Sequence, residues 1–277
     1  MARAKSGSVP SLTGFVAKRF FTPRFGNHER LALLTEDGVR LGGGRLTGPS
    51  DASASIVLVH GFSHTSRTPK IHAFAHRLAR RAHVLVPDLR GHGTSGGLCT
   101  LGADEPLDVA AAIAAARGAE PDLPVVTVGI SLGGAAVLLQ AGRRDARERV
   151  AGAVAISAPA WWGAWDTPST ARIRRYASTA AGRRFMADFL NTRVAATCPG
   201  VADSHDLVAA IAPAFTLVVH DPMDHYFGEE HAQTLFRWAN RPKDLWLVRG
   251  SGHGTDLLTS ELADRLLSHV EAHTGAG

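Results

Sequence analysis

Residues 125–140, Val-Val-Thr-Val-Gly-Ile-Ser-Leu-Gly-Gly-Ala-Ala-Val-Leu-Leu-Gln, decide how the rest of this sequence is read. Val125 to Val128 is a β-branched run that suits a buried strand, and Ala135 to Leu139 continues as an apolar helix, so a very tight turn must lie between them. Ser131 sits at the apex of that turn, flanked by Gly129 and Gly133. Side chains at the two glycines would collide as the strand doubles back, so the G-x-S-x-G spacing holds the serine hydroxyl out above the sheet. The helix begins just behind it, and its N-terminal N–H groups face any negative charge that forms there. An exposed hydroxyl held this way is a candidate nucleophile; the competing reading is a plain glycine turn.

Working outward, 277 residues at 45% hydrophobic are enough for one large α/β domain with a filled core and a small insertion. The two cysteines, Cys99 and Cys198, form neither a disulfide framework nor a ligand cluster, which fits a reducing, cytoplasmic setting. No stretch approaches the length of a membrane span. The 14 histidines show no H-E-x-x-H or similar ligand spacing, so no metal is implied. The formal charge of +5 resides in residues 1–28, which hold Arg3, Lys5, Lys18, Arg19 and Arg24 and no acid; the remainder carries 25 basic and 25 acidic side chains. A neutral body gives no reason to expect a nucleic-acid surface. Residues 1–28 are read as a flexible basic arm. Within it, residues 15–25 alternate Phe15, Phe20, Phe21 and Phe25 with Lys18, Arg19 and Arg24, which suits an arm packed on the domain edge or a weak peripheral membrane contact.

Residues 29–277 are read as the domain proper. Leu31 to Thr35 and Val39 to Leu46 form a hairpin, with a bulge expected at Gly42-Gly43-Gly44. Strand Ile56 to Val59, helix Lys70 to Arg81, strand His83 to Pro87, helix Glu105 to Arg117 and the strand entering Ser131 then alternate. That rhythm means a mostly parallel central sheet with helices on both faces. After strand Val150 to Ile156 the rhythm breaks. Residues 160–213 hold Trp161, Trp162 and Trp165 and an Arg-rich helical stretch, and read as a small helical cap insertion. Strand Phe215 to His220, helix Glu229 to Trp238, strand Leu245 to Val248 and a helix from Thr255 to His273 complete the chain.

A serine at neutral pH needs a base within hydrogen-bond reach and a third group to orient that base. Both belong on loops at the C-terminal ends of the parallel strands, where the turn points. His253, in Gly250-Ser251-Gly252-His253-Gly254, meets that requirement; His269 and His273, in the terminal helix, are expected to face solvent. For the acid, strand Phe215 to His220 feeds into Asp221-Pro222-Met223-Asp224. Asp221, before a proline, suits turn formation, and Asp224 lies far enough into the loop to reach the imidazole, although it could instead cap the helix starting near Gly228.

With the order Ser, Asp, His in place, the sequence resembles the α/β-hydrolase superfamily from about Leu31 to its end. The resemblance rests on His60-Gly61-Phe62, Asp88-Leu89-Arg90-Gly91-His92-Gly93-Thr94-Ser95, Gly129-Ile130-Ser131-Leu132-Gly133 and the Asp224/His253 pair. The second segment is similar to a loop of the serine-aminopeptidase, monoacylglycerol-lipase and lysophospholipase-like branch. The resemblance implies an oxyanion hole built from the backbone N–H groups of Phe62 and Leu132, each worth roughly 3 to 4 kcal/mol in comparable sites. Family members often carry Gly where this chain has Asp221, which leaves two carboxylates to choose between. His60, His64 and His92 are read as loop-ordering residues, with a substrate contact as the alternative for His64.

The function this implies is a serine hydrolase acting on a small-molecule carboxylic ester, or a thioester, through an acyl-enzyme and without a cofactor. A non-hydrolytic small-ligand receptor on the same fold is the other class of reading. Trp161 and Trp162 lie either over the site mouth, lining an acyl pocket, or in the core of the insertion. The arginines of 160–197, six against two acids, are expected on the solvent side.

Overall fold

The structure, a computed structural model, describes residues 29–143, 148–162, 167–198, 200–250 and 252–275. The basic arm with its 15–25 stretch, and Trp165, lie outside the described residues.

Strands β1 (Glu29–Leu34) and β2 (Arg40–Leu46) form the opening hairpin, and β3 (Ser55–Val59), α1 (Pro69–Leu78), β4 (His83–Pro87) and α2 (Glu105–Ala119) follow. Then come β5 (Val125–Ile130), α3 (Leu132–Gly142) and β6 (Gly152–Ile156). The insertion supplies α4 (Pro168–Ala177), α5 (Ala180–Leu190), the single turn α6 (Ser204–Leu207) and a 3-10 turn, Val208–Ile211. Finally β7 (Phe215–His220), α7 (Glu229–Trp238), β8 (Lys243–Leu247), a 3-10 turn, Gly254–Leu257, and α8 (Ser260–Thr274) close the chain. The eight strands form one sheet in the order β1-β2-β4-β3-β5-β6-β7-β8. Only β1 with β2 and β2 with β4 pair antiparallel.

The mainly apolar strands β3, β5, β6 and β7 are buried along their whole length, as parallel strands covered on both faces require. Alternation then sorts their side chains. Ile56, Leu58, Val126, Val128 and Val154 join Ile71, Phe74 and Leu78 of α1 and Leu266, Leu267 and Val270 of α8. Val57, Val59 and Val125 face Val109, Ile113 and Ala116 of α2 and Ala136 and Val137 of α3. Ala153, Ala155 and Val218 meet Leu138 of α3 and Ala232 and Leu235 of α7. Burial of these apolar side chains on both faces supplies the main driving force for folding.

Three sequence expectations are corrected. Gly42-Gly43-Gly44 forms no bulge: the hairpin register runs unbroken from Glu29↔Arg45 to Leu34↔Arg40. The glycines instead permit close approach, because a Cβ on Gly43 would stand 2.3 Å from Val86 O and one on Gly42 2.0 Å from Thr94 Oγ1. The terminal helix is broken, since a 3-10 turn precedes α8, whose start is capped by Thr259 Oγ1 accepting the Leu262 N–H. His269 does not face solvent; its ring packs edge-on to both Phe215 and Trp246.

The insertion is helical, as expected, but it is also strapped down. Arg193 N–H donates to Gly91 O and Cys99 N–H to Arg193 O, both at 2.7 Å, and Ala195 N–H donates to Cys99 O at 2.9 Å. Thr167 and Thr179 cap α4 and α5. Arg172, Arg174, Arg175 and Arg184 are exposed, in line with the expected solvent side.

Candidate active site

The turn from β5 into α3 is as tight as its sequence demands. Ser131 has φ 54° and ψ −115°, a conformation that costs a non-glycine residue of order 1 to 3 kcal/mol and survives only where its surroundings enforce it. The Ser131 N–H donates to Ile156 O at 2.8 Å, tying the apex to the end of β6. A Cβ on Gly129 would stand 2.1 Å from Gly133 O, and one on Gly133 2.5 Å from both Val59 O and His60 O. Both glycines are therefore steric requirements of the elbow.

Ser131 Oγ lies 3.0 Å from His253 Nε2, and His253 Nδ1 lies 2.7 Å from Asp224 Oδ2. A carboxylate can only accept, so Nδ1 carries the proton and Nε2 is left to accept from the serine hydroxyl. Burial works to raise the Asp224 carboxyl. The His253 hydrogen bond and charge, with the Tyr226 and Phe227 N–H groups, outweigh it and hold the group below its ordinary value. Those two N–H groups reach Asp224 Oδ1 at 2.8 and 3.2 Å. Asp224 does not cap α7, whose N-cap is Gly228 without a side-chain bond. Asp221 is committed to the turn, its Oδ1 accepting the Met223 N–H at 2.9 Å and its Oδ2 the Gly252 N–H at 2.6 Å.

Phe62 is brought to the serine by Gly61, on which a Cβ would stand 3.2 Å from Ser131 Cβ. Leu132 opens α3, where the N–H groups have no carbonyl partner within the helix. The His60-to-Ser95 region is locked from within. His60 accepts the Leu89 N–H on Nε2 at 3.0 Å and faces Gly61 O through Nδ1 at 2.8 Å. His92 accepts the Ser63 N–H on Nε2 at 3.3 Å and faces Arg90 O through Nδ1 at 2.9 Å. Burial pushes each of these imidazoles down to about 4. Asp88 gathers the Ser66 and Thr94 N–H groups, and Arg90, 3% exposed, is enclosed by Asp37 and Asp108. His64 Nδ1 lies 2.9 Å from Phe62 O, within the same loop.

Sequence reasoning missed the groups that hold the histidine. Ser157, at φ 51°, accepts the Gly254 N–H on Oγ at 3.0 Å, so the backbone on both sides of His253 is pinned, by Asp221 before it and Ser157 after. The ring of Tyr226 packs 4.2 Å from that of His253, with Phe227 at 5.7 Å and His225 at 6.1 Å. Serine and aspartate at strand ends read as ordinary turn residues; the usable signal was the run His225-Tyr226-Phe227 directly after Asp224.

Trp161 and Trp162 are half-buried and pack against different core clusters. Trp161 stacks on His231 at 3.8 Å, and His231 in turn meets Phe227. Trp162 covers Gly102, where a Cβ would stand 2.8 Å from its ring, and its backbone N–H donates to Asp203 Oδ1 at 2.6 Å. Arg172 is close enough to Tyr226 for its charge to oppose the upward push of burial on that phenol. A cleft of about 530 Å³ opens at the other end of the sheet, among Pro121 to Val125 and Val150, away from the serine.

A doubly covered, mostly parallel sheet with a strained serine at a strand-to-helix elbow defines the class. The chain belongs to the alpha/beta hydrolase family, whose model matches residues 56–275. No curated protein sequence matches it. Among solved structures, the esterase Pf2001 of Pyrococcus furiosus superposes with a TM-score of 0.69 at 17% identity, covering 98% of each chain. The alpha/beta hydrolase GrgF of Penicillium sp. sh18 gives 0.68 at 17% identity, over 90% of this chain and 99% of that one. A thermophilic esterase of Thermogutta terrifontis, solved with malate bound, gives 0.63 at 22% identity, over 88% and 97%. Among the described residues, no helix is long and apolar enough to cross a membrane.

Proposed function

We propose that this protein is a serine hydrolase that cleaves small-molecule carboxylic esters, with thioesters as the next substrate class, through an acyl-enzyme on Ser131. The observation that carries this reading is the unbroken hydrogen-bonded line from Ser131 through His253 to Asp224. His253 Nε2 takes the hydroxyl proton as Ser131 Oγ attacks the acyl carbon, and Asp224 stabilises the imidazolium without itself being protonated. The N–H groups of Phe62 and Leu132 receive the oxyanion. His253 then protonates the leaving alcohol or thiol, and a water deprotonated by the same nitrogen releases the acid. No step requires a cofactor. Two of the structural neighbours are esterases, which agrees with the substrate class.

The helices of residues 160–213 serve in this reading as a cap that shapes the acyl pocket, with Tyr226 and Phe227 packed beside His253 and Trp161 one ring further out. The test is a chain-length series of p-nitrophenyl esters and acyl-thioesters run beside Ser131→Ala. Turnover and fluorophosphonate labelling that both vanish in the variant support the assignment. Binding without turnover in the unaltered protein would instead favour the receptor reading.

A further inference from the structure

Outside the active site, three metal-ligating side chains converge where the last helix crosses the edge of the sheet. His269 and His273 are four residues apart on α8 and so project from one face of it. Asp244 stands on β8, the edge strand. Its Oδ2 lies 4.0 Å from Nε2 of each histidine, and the three donor atoms all fall within 4.8 Å of one another. Sequence alone passes over the spacing because the third donor comes from another element.

Two details separate this cluster from an ordinary surface group. The His269 side chain is only 10% exposed, and its Nε2 is buried with no hydrogen-bond partner. A polar nitrogen left so is costly unless something satisfies it. His273 Nδ1 lies 2.9 Å from His269 O, which can only accept; the proton therefore sits on Nδ1, and the Nε2 lone pair is left free on the side nearer Asp244. A backbone carbonyl fixing the tautomer in this way is the usual outer support of a metal-bound imidazole. The group Asp203, His205 and Asp206 also clusters, but Asp203 Oδ1 is already taken by the Trp162 N–H.

We propose that Asp244, His269 and His273 form a site for one divalent transition-metal ion of the zinc class, which clamps α8 to β8. Two imidazoles and a carboxylate suit zinc, cobalt, nickel or copper and do not suit calcium or magnesium, which take oxygen donors. Donors spaced as here surround a centre slightly too wide for zinc, and side-chain adjustments of about half an ångström bring them to the usual bond lengths of about 2.0 to 2.2 Å. His273 is partly open to solvent, leaving room for water as a fourth ligand. The ion would close the segment between β8 and α8, which carries His253. This revises the sequence expectation that no metal is involved.

The test uses the full chain, stripped with EDTA and titrated with zinc chloride, then with cobalt chloride. The expected results are one zinc per chain, a rise in Tm with zinc, and a visible cobalt absorption of low-coordinate intensity. His273→Ala, at an exposed position, and Asp244→Asn should each weaken zinc affinity by about tenfold or more. The inference is overturned if the wild-type chain takes up no zinc at about tenfold molar excess. It is equally overturned if affinity is unchanged in either variant, which would place the ion on other histidines or on the exposed Cys198. Neither readout depends on ester turnover.

Discussion

The Asp221 carboxylate accepts the Gly252 N–H at 2.6 Å, one residue before the histidine that Asp224 contacts. Two neighbouring acids thus divide the work: one anchors the backbone of the loop and the other meets the ring. Asp224→Asn should lower kcat by about 10⁴-fold, because the wrong tautomer is then presented to the serine. Asp221→Asn keeps one acceptor oxygen and should cost about tenfold or less. Steady-state kinetics on both variants gives the ranking, and the reverse order would move the orienting role to Asp221.

Ser131, the proposed nucleophile, also sits in a strained conformation. Ser131→Ala should abolish ester turnover and fluorophosphonate labelling with the fold retained. Ser131→Gly should be equally inactive yet more stable than the parent, by about 1 kcal/mol or about 3 °C in Tm, since glycine relieves the positive φ. Differential scanning fluorimetry on the pair decides it; a Ser131→Gly chain that melts below Ser131→Ala would contradict the strain argument.

The part of this site legible in the sequence was the part that chemistry restricts most. Few residue types can fill the elbow, and a base and an acid at strand ends follow from what a serine needs. The supports were illegible because they are made of common groups. Nothing in Ser157-Ala158-Pro159 distinguishes an acceptor for Gly254 from an ordinary strand end, and Arg193 holds the insertion mainly through backbone atoms that any residue would supply, its guanidinium adding a bond to Ser95 O. Apolar runs found the strands, but a terminal helix read as an outer element hides how far it is covered: beside the Leu262, Leu266, Leu267 and Val270 stripe, the His269 ring also reaches Phe215 and Trp246.

Ser157 is expected to act on catalysis only through the placement of His253. Ser157→Ala removes the acceptor for the Gly254 N–H and should destabilise the chain by about 1 to 3 kcal/mol, with kcat reduced and KM for a short ester little changed. A purely structural role would leave kcat untouched in the folded fraction, so activity normalised to active-site titration is the measurement to make.

Two buried imidazoles should lower folding stability as the solution is acidified. His60 and His92 are held near 4 in the folded chain against about 6.5 when unfolded. The unfolded state therefore binds more protons between those values, and stability is full above about pH 6.5 and is lost as pH falls toward 4. Each group contributes on the order of 3 kcal/mol to that loss. Asp108, whose burial pushes its carboxyl up to about 7, works in the opposite sense over the same range. Urea midpoints are therefore to be compared between the parent and a His92→Gln chain: the parent should lose more stability between about pH 6.5 and 4, and equal losses would mean that His92 is not buried neutral.

Trp162 fills the space over Gly102, so Trp162→Ala should cost about 3 to 5 kcal/mol of stability and lower activity on short and long esters alike. Trp161→Ala, one stacked ring away from Phe227, should instead shift the preferred acyl length while acetyl esters are still cleaved. Chain-length profiles beside melting curves separate the two; parallel losses in both variants would make Trp161 core as well.

The bonds that strap the insertion continue inward. Arg193 is bonded to Gly91, the neighbouring His92 ring accepts the Ser63 N–H, and Ser63 follows Phe62, the proposed oxyanion donor. In the proposed reading, the cap that shapes the acyl pocket and the donor that steadies the transition state are therefore parts of one frame. On that reading an ill-fitting acyl chain that pushes the cap aside would displace the donor with it, and discrimination between substrates would fall on the speed of the chemical step as well as on occupancy.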